Sequence, residues 1–445
     1  MAQKILITSA LPYINGIPHL GHLAGCLLTS DVYARFQRMM GREVLYLCAT
    51  DEHGTPSEIG AQKENMDVYE YCTKYHNLHK KIYEGFNLSF DWFGRSSNEA
   101  NTKLTQEFFL DLEKNGFIEE RSLKQVYSID DKRFLADRYV TGTCPYCGYD
   151  KARGDQCENC TKVLDPTDLL NPRSTISGST NLEVRETKHI FLNLPKLEKE
   201  VAEWIESKKS TWPDLTYSIA KKWLKEGLQS RCITRDLKWG VKVPKAGYED
   251  KVFYVWFDAP IEYIAAGYEW AIANGQDFKS WWQGGDDVYY VEFMGKDNVP
   301  FHTVFFPAVE MGTRKPWKKV DYLKGVSYLN YNGGKFSKSE HRGVFADQAL
   351  EEFAADYWRY YIMANLPESD DADFTFEKFA ADINKDLNDV LGNFVLRVEK
   401  FCNAKFRDSV PEKGEYAVAD KAMFTELELL VKEYYDYMEK IEYRK

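Results

Sequence analysis

Two histidines lie three residues apart in the segment PYINGIPHLGH, where a short apolar run gives way to a helical pattern. At that spacing His19 and His22 project to the same side of the first helical turn. Gly16 and Gly21 let the backbone approach a ligand closely, and the start of a helix offers unpaired N–H groups to a phosphate. Each imidazole can also donate a hydrogen bond to a phosphate oxygen. The segment therefore predicts a nucleotide-phosphate site.

A second segment, GGKFSKS (Gly333 to Ser339), is a glycine-led loop that carries Lys335 and Lys338. Loops of this composition are common on solvated surfaces, so the segment alone indicates little. Together with the histidines it supplies mobile positive charge, which in-line displacement at phosphorus requires as charge spreads onto the leaving pyrophosphate. The chain contains no GxxxxGK[ST] pattern, which would be the usual alternative phosphate site.

Four cysteines follow the pattern Cys144-x2-Cys147-x9-Cys157-x2-Cys160, which is typical of two knuckles that bind one tetrahedral zinc ion. Four thiolates leave no open coordination position, so this zinc ion is predicted to be structural. Disulfides are the alternative, but the other five cysteines are scattered as in proteins of a reducing compartment. RNA-binding zinc ribbons share the same knuckles, so the cluster does not by itself indicate an enzyme.

Buried strands must position these groups. The runs KILITSAL and EVLYLCATD lack alternation, as parallel strands buried on both faces do, and a helical pattern ending near Gly41 separates them. KVFYVWFDAP and DDVYYVEFMGKD have the same character, and each is predicted to be a strand that ends at an aspartate. The fold class is therefore α/β, with a doubly wound parallel sheet of the Rossmann type that binds ligands beyond the carboxyl ends of its strands. Asp51 ends the second strand and can pair with an ammonium group; a helix N-cap or a solvated acid is the alternative.

The composition is that of a globular chain. Its 445 residues are 44% hydrophobic and 15% aromatic, which suits about two to four domains. No apolar run approaches the ~18 residues of a membrane span, because the best candidate is cut by Asp258, Glu262 and Glu269. The N-terminus is predicted to be a first strand rather than a signal peptide. The net charge of −11 argues against indiscriminate binding to polyanions but leaves room for a local basic surface.

The middle of the chain, from about 117 to 227, changes to loops with short strands and is predicted to be an insertion into the sheet. The acidic stretch PESDDADF beyond Leu366 is a candidate domain boundary. Two amphipathic helices are predicted after it, and the apolar stripe of the second runs to the chain end. We therefore expect the natural protein to continue past Lys445.

HLGH and KFSKS, some three hundred residues apart, resemble the HIGH and KMSKS signatures of class I aminoacyl-tRNA synthetases. Within that class the chain resembles the methionyl-tRNA synthetase family over essentially its whole length. The segments SALPYINGIPHLGH, CATDEHGTP, VWFDAPIEY and GKDNVPFH carry this likeness together with the cysteine cluster. The resemblance implies that methionine attacks the α-phosphate of ATP to give methionyl-adenylate, and that the methionyl group then passes to the 3′ end of tRNA.

The resemblance also implies residue roles. His19, His22, Lys335 and Lys338 are the expected catalytic residues, and ATP is expected to contact Gly21, Gly295, Asp297 and Lys338. The expected methionine pocket consists of Leu11, Tyr13, Asp51, Trp256, Ala259, Pro260, Tyr263, Phe301 and His302, with Asp51 as the anchor of the amino group. Asn393 and Arg397 match family positions that contact anticodon bases, although an ordinary helix-surface pair is the alternative. Arg235 matches a family arginine of less certain role.

The domains expected on this basis are the first half of a Rossmann catalytic domain (1–117), a connective insertion with zinc knuckles (118–230), the second half of the catalytic domain (231–325), a region with the lysine loop and the tRNA stem contact (326–373) and an incomplete anticodon-binding helical bundle (374–445). One structural Zn²⁺ and Mg²⁺ bound with ATP are the expected ions. The expected partners are ATP, methionine and tRNA(Met), and no membrane association is expected. The expected location is the cytoplasm. A homodimer formed through a C-terminal extension is compatible with the resemblance.

Some positions depart from the family pattern. Leu20 and Phe336 replace the isoleucine and the methionine of the two signatures, and Lys324 stands where many relatives have histidine, which puts the adenine contact in doubt. Two alternatives stay open. One is a class I synthetase for another amino acid, although the leucine, isoleucine and valine enzymes carry a much larger insertion. The other is a non-catalytic tRNA- or RNA-binding relative, against which the intact His19, His22 and Lys338 argue.

Overall fold

The protein is described by a computed structural model. It describes residues 4–445 except Asp155, Gln156, Glu158, Thr161, Val163, Ser339, Glu340 and Asp408. The chain divides into two compact units. Unit 1 consists of Met1–Ile17, Arg42–Lys81 and Ser89–Gly325, and unit 2 consists of Pro18–Gly41, Ile82–Leu88 and Val326–Lys445.

The strands, in chain order, are β1 (Lys4–Ser9), β2 (Glu43–Thr50), β3 (Trp92–Arg95), β4 (Ile118–Ser128), β5 (Arg133–Phe134), β6 (Val140–Thr143), β7 (Ala152–Arg153), β8 (Leu170–Ser174), β9 (Leu182–Leu192), β10 (Arg231–Cys232), β11 (Thr234–Arg235), β12 (Val252–Phe253), β13 (Val288–Gly295), β14 (Tyr322–Val326), β15 (Leu329–Tyr331), β16 (Gly334–Lys335) and β17 (Ala372–Phe374).

The α-helices are α1 (Leu20–His22), α2 (Leu28–Met39), α3 (Thr55–Lys63), α4 (Val68–Gly85), α5 (Glu99–Lys114), α6 (Glu198–Ser207), α7 (Asp214–Glu226), α8 (Val255–Asn274), α9 (Lys279–Trp282), α10 (Phe306–Gly312), α11 (Ala346–Glu352), α12 (Ala355–Ala364), α13 (Phe376–Asp382), α14 (Asn393–Phe406) and α15 (Val418–Glu439). Three π-helical stretches, Leu23–Leu27, Phe301–Phe305 and Ile383–Gly392, continue these helices. Within the described residues, no helix combines the length and apolar character needed to cross a bilayer.

A five-stranded sheet in the order β14-β13-β1-β2-β3 forms the centre of unit 1. β1 pairs in parallel with β13 on one side and with β2 on the other, so that Ile7 lies opposite both Val291 and Tyr46. β1 and β2 are almost entirely buried, which explains why their sequences show no alternation. The parallel pairing brings the carboxyl ends of β1, β2 and β13 to one edge. Strands from both sides of the insertion thus share a single sheet, as predicted.

The sequence suggested that the segment KVFYVWFDAP is a strand that ends at Asp258, but the structure differs. Only Val252–Phe253 is extended, and α8 begins at Val255 and runs for 20 residues. The prediction was wrong because a short apolar run cannot be distinguished from a buried helix by its periodicity. Most residues in the first half of α8 are buried, so the helix shows no polar stripe, and Pro260 lies inside it.

The inserted residues form sheets of their own. β4 and β9 are antiparallel strands of 11 residues each, in a sheet of order β10-β9-β4-β5, so two of the strands are longer than the sequence suggested. A three-stranded sheet, β7-β6-β8, carries the cysteine segment, and the last third of the insertion is helical, with α6 and α7.

Unit 2 contains a three-stranded sheet, β16-β15-β17, in which β15 pairs antiparallel with β16 and parallel with β17. The acidic stretch that suggested a domain boundary supplies β17 and therefore lies inside this unit. The predicted helical C-terminal region is present as α13, α14 and α15. The end of α15 packs against α2, where Phe36 contacts the rings of Tyr434 and Tyr435.

Candidate active site

His19 and His22 lie at the start of the helical segment that continues into α2, in unit 2. His19 is the N-cap residue of α1, and the amide N–H of Gly21 donates to its Nδ1 at 3.2 Å. The amide N–H of His19 in turn donates to Nδ1 of His22, also at 3.2 Å. Because both Nδ1 atoms accept hydrogen bonds, the neutral rings carry their protons on Nε2. Burial, assisted by the charge of Lys338, lowers the pKa of His19 to about 3, so His19 is a neutral donor at physiological pH.

Gly21 has a steric role in this arrangement. A Cβ atom at this position would lie 2.9 Å from both Cε1 and Nδ1 of His19, which is closer than atoms in real proteins approach. A side chain at position 21 would therefore displace the imidazole.

The structure brings the loop that carries Lys338 to His19, because the Phe336 ring stacks on the His19 ring with centroids 4.8 Å apart. The charge of Lys338 also contributes to the lowered pKa of His19. Burial lowers the pKa of Lys338 itself to about 7. Lys335 takes a different position: its ammonium group lies over the Tyr328 ring, 5.5 Å from the centroid. Ser339, the last residue of the segment GGKFSKS, lies outside the described residues. The loop and the histidine segment therefore meet within unit 2, and the convergence of their imidazole and ammonium groups on one triphosphate stays a prediction.

The predicted methionine-binding residues all belong to unit 1, where Leu11 and Tyr13 follow β1 and Asp51 follows β2. Tyr13 forms an isolated parallel bridge with Asp51, whose amide N–H donates to the carbonyl of Pro12 at 3.0 Å. Asp51 is only 3% exposed, and its Oδ1 is buried without a hydrogen-bond partner among the described residues. Burial first, then the charges of Asp258 and Glu52, raise the pKa of Asp51 well above its ordinary value. Such a carboxylate is suited to bind a cation.

The aromatic residues of the predicted methionine pocket contact one another in two pairs. Trp256 and Phe301 pack with ring centroids 4.1 Å apart, and Trp256 remains 36% exposed. Tyr263 and His302 are linked by a 3.1 Å hydrogen bond between Oη and Nε2. Burial lowers the pKa of His302 to about 4, and its Nδ1–H donates to the Asn298 carbonyl, so the ring is neutral and Nε2 accepts. Of the other predicted pocket residues, Leu11 follows β1, whereas Ala259 and Pro260 lie in the first turns of α8.

Gly295 ends β13, and Asp297 follows two residues later. A Cβ atom on Gly295 would lie 2.8 Å from Oδ1 of Asp297, so the absence of a side chain lets the carboxylate turn back over the strand end. Arg235 follows the insertion in the sequence. Its guanidinium group lies over the Tyr254 ring, with Cζ 3.7 Å from the ring centroid.

Sequence reasoning missed two residues of this region, His53 and Asp258. Nδ1 of His53 contacts Oδ2 of Asp258 at 2.6 Å, and Oδ1 of Asp258 is buried without a partner in the described structure. Asp258 lies in the first turn of α8, where the helix dipole stabilises negative charge. Its histidine partner is 205 positions away, so no local pattern could have identified the pair. The polar residue inside an apolar run was the only available signal.

The four cysteine thiols form a cluster in which all Sγ atoms lie within 4.8 Å of one another. Sγ of Cys144 is 3.8 Å from that of Cys160, and Sγ of Cys147 is 3.6 Å from that of Cys157. Disulfide bonds would require about 2.05 Å. A tetrahedral zinc ion with Zn–S bonds of ~2.3 Å separates its ligands by ~3.8 Å, so the donor set fits zinc.

Asn393 and Arg397 lie one turn apart on α14, both exposed, and Nε of Arg397 donates to Oδ1 of Asn393 at 3.1 Å. The pair presents an amide and a guanidinium to solvent.

A class I aminoacyl-tRNA synthetase is defined by three features seen here: a parallel sheet with an insertion, a histidine pair at a helix start, and a lysine loop beside that pair. The family described as tRNA synthetases class I (M) matches residues 5–399. The chain is 58% identical to a methionine–tRNA ligase of Streptomyces avermitilis over 451 aligned positions, which cover 99% of this chain and 79% of that protein. It is 59% identical to the methionine–tRNA ligase of Cereibacter sphaeroides, with the same coverage of each chain. The chain therefore belongs to this family, that of the methionine–tRNA ligases.

A solved structure supports the fold. The methionyl-tRNA synthetase of Mycobacterium tuberculosis, crystallised with methionyl-adenylate, matches 99% of this chain and 80% of that chain with a TM-score of 0.78. Its sequence identity to this chain is 22%, so the match concerns the fold alone.

Proposed function

We propose that this chain activates methionine with ATP to form methionyl-adenylate and then transfers the methionyl group to the 3′ end of tRNA(Met). The observation that carries the proposal is the arrangement in unit 2 of two imidazoles, each with Nδ1 held by a backbone N–H, against the loop that carries Lys338. Membership of the methionine–tRNA ligase family supports the choice of amino acid.

In the first step a carboxylate oxygen of methionine attacks the α-phosphorus, and the bond to the β-phosphate oxygen breaks to release pyrophosphate. His19 and His22 donate from Nε2–H to phosphate oxygens. Lys338, assisted by Lys335, neutralises the charge that develops on the pyrophosphate. Mg²⁺ enters with ATP and shields its phosphate oxygens. No side chain is the nucleophile, so the chain contributes positioning and electrostatic stabilisation. In the second step a ribose hydroxyl at the 3′ end of the tRNA attacks the acyl carbon and AMP leaves.

The residues of unit 1 recognise the amino acid and the ribose. Asp51 anchors the α-ammonium group, and we include Asp258 as a second carboxylate for it, oriented by His53. This assignment is supported by the two buried carboxylate oxygens that lack partners among the described residues. The predicted aromatic residues contact the thioether, which shape and polarizable contacts select in the absence of strong hydrogen bonds. Gly21 makes room for the phosphates, and Gly295 and Asp297 bind the ATP ribose.

We propose that Cys144, Cys147, Cys157 and Cys160 hold one structural zinc ion, which ties the insertion together and takes no part in the chemistry. Asn393 and Arg397 contact anticodon bases. The domain division at 117, 230, 325 and 373, a cytoplasmic location and a homodimer formed through a C-terminal extension also remain proposals. The nine cysteines, all among the described residues, form no disulfide bonds, as in proteins of a reducing compartment.

Exchange of labelled pyrophosphate into ATP tests the proposed function. Exchange should depend on methionine and should be near background with leucine, isoleucine, valine or cysteine. Exchange supported by one of those four would move the assignment to another class I synthetase. An absence of exchange with all five, in protein that is folded by circular dichroism, would favour an RNA-binding relative.

A further inference from the structure

The loop that carries Lys338 also supplies an aromatic ring to His19. The rings of Phe336 and His19 are stacked, with centroids 4.8 Å apart and an interplanar angle of 17°. On its other sides the Phe336 ring meets Tyr331, at 5.7 Å between centroids, and Gly343. Gly343 has φ +130°, and a Cβ atom there would collide with the Phe336 ring. Both this glycine and Gly21, on the helix side, leave room for the ring.

Backbone and side-chain contacts fix the loop on both sides of Lys338. Ser337 and Arg342 exchange two backbone hydrogen bonds of 2.9 Å, which close the turn. The guanidinium of Arg342 donates to the carbonyls of Tyr331 and Asn332 at 3.0 and 3.1 Å. Asp373, on β17, accepts from the amide N–H of Gly333 at 2.8 Å. The position of the Phe336 ring is therefore determined by the loop.

The segment after the loop is in turn attached to the histidine segment. The amide N–H of Leu20 donates to the carbonyl of Val344 at 3.1 Å, and that of Ala346 donates to the carbonyl of Pro18 at 2.8 Å. These bonds bring the two segments together at one end, and the stack joins them at the other. Among the described residues, the His19 ring accepts one hydrogen bond, from the amide N–H of Gly21, and it also contacts the His22 ring, with centroids 4.0 Å apart. One hydrogen bond does not fix the tilt of an imidazole, so the ring contacts on its faces determine that tilt.

We propose that Phe336 is a positioning residue for adenylation: its stacked ring ties the orientation of the His19 imidazole to the seating of the loop that carries Lys338. The proposal rests on the function proposed above. Aromatic rings prefer offset-stacked geometry, in which the flat face of one ring supports the face of the other. Leucine at position 336 would retain apolar volume but not the flat face, whereas tyrosine would retain both.

The test measures the single-turnover rate of methionyl-adenylate formation, and the KM values for ATP and methionine, in the 445-residue chain. F336L should form adenylate about tenfold more slowly, with an unchanged KM for methionine. F336Y should remain within about twofold of the wild-type rate. In the background of H19A, F336L should cause little further loss, because the residue acts through His19.

Phe353→Leu is the matched control. It makes the same change in unit 2 on a ring that packs against Trp358 and Phe379, and it should retain the wild-type rate. A wild-type rate in F336L, independent losses in the H19A background, or an equal loss in F353L would overturn the positioning role. If the wild-type chain itself forms no methionyl-adenylate, the proposed function fails and this inference fails with it.

Discussion

Replacing Asp51 by asparagine should weaken methionine binding strongly while leaving the fold intact. The Asp51 carboxylate is 3% exposed, so its pairing with the α-ammonium group takes place away from water. Removing one partner of a buried charge pair costs about 2–5 kcal/mol, or about 30-fold to about 4,000-fold in affinity. Because Asp258 still offers a carboxylate in D51N, we expect a loss near the lower end, about 100-fold in the KM for methionine, with the KM for ATP little changed.

The same substitution should not destabilise the empty protein. Burial raises the pKa of Asp51 in the folded state, whereas the unfolded chain ionises it near 3.9. Above about pH 4 the unfolded chain therefore binds fewer protons at this residue than the folded chain does. The Asp51 contribution then lowers the free energy of unfolding as the pH rises toward the raised folded-state pKa. D51N removes this contribution, so its free energy of unfolding at pH 8 should equal or exceed that of the wild type.

Pyrophosphate exchange at varied methionine gives the KM, and urea denaturation at pH 5 and pH 8 gives the free energies of unfolding. The control is Asp250→Asn, the same change at an exposed position of unit 1, which should alter neither quantity. An unchanged KM for methionine in D51N would refute the assignment of the ammonium anchor. A large loss of stability at pH 8 would contradict the conclusion that the carboxylate is uncompensated in the empty pocket.

Further substitutions probe the other proposed groups. H22A and K338A should each slow adenylation at least about 100-fold, as removal of a transition-state donor does, with unchanged thermal unfolding; exchange at the wild-type rate in either would contradict its role. C157S should retain less than one equivalent of zinc after dialysis against a chelator, by atomic absorption, whereas full retention would exclude Cys157 as a ligand. R397A, and likewise a change of Asn393, should reduce charging of tRNA(Met) but not exchange, and equal charging would remove the proposed anticodon contact.

The parts of the fold that the sequence predicted are those with strong local patterns. The continuous apolar runs of β1, β2 and β13 were correctly predicted to be buried parallel strands, because each is short and is bounded by turn residues. The run that begins α8 has the same composition, and its helical state depends on burial on nearly all sides, which no local pattern reports. The strand β17, which pairs with β15, was missed because its acidic sequence does not show the apolar pattern of a strand.

The features of the candidate site likewise fall into those with a local sequence pattern and those that depend on the tertiary fold. The spacing of His19 and His22 predicts a phosphate site, and the spacing of the four cysteines predicts a zinc site, without any tertiary information. The expected convergence of Lys338 with His19 rested on the complementary chemistry of the two segments and on the resemblance, since more than three hundred residues separate them. The pairing of His53 with Asp258 and the stacking of Phe336 on His19 depend on tertiary packing alone.

The most direct test of the central claim is a crystal structure of the chain with methioninol and a non-hydrolysable ATP analogue. The account predicts that Nε2 of His19 and Nζ of Lys338 each lie within about 3.2 Å of oxygen atoms of the same triphosphate. A structure in which the triphosphate contacts neither side chain, or in which the two side chains face different cavities, would contradict it.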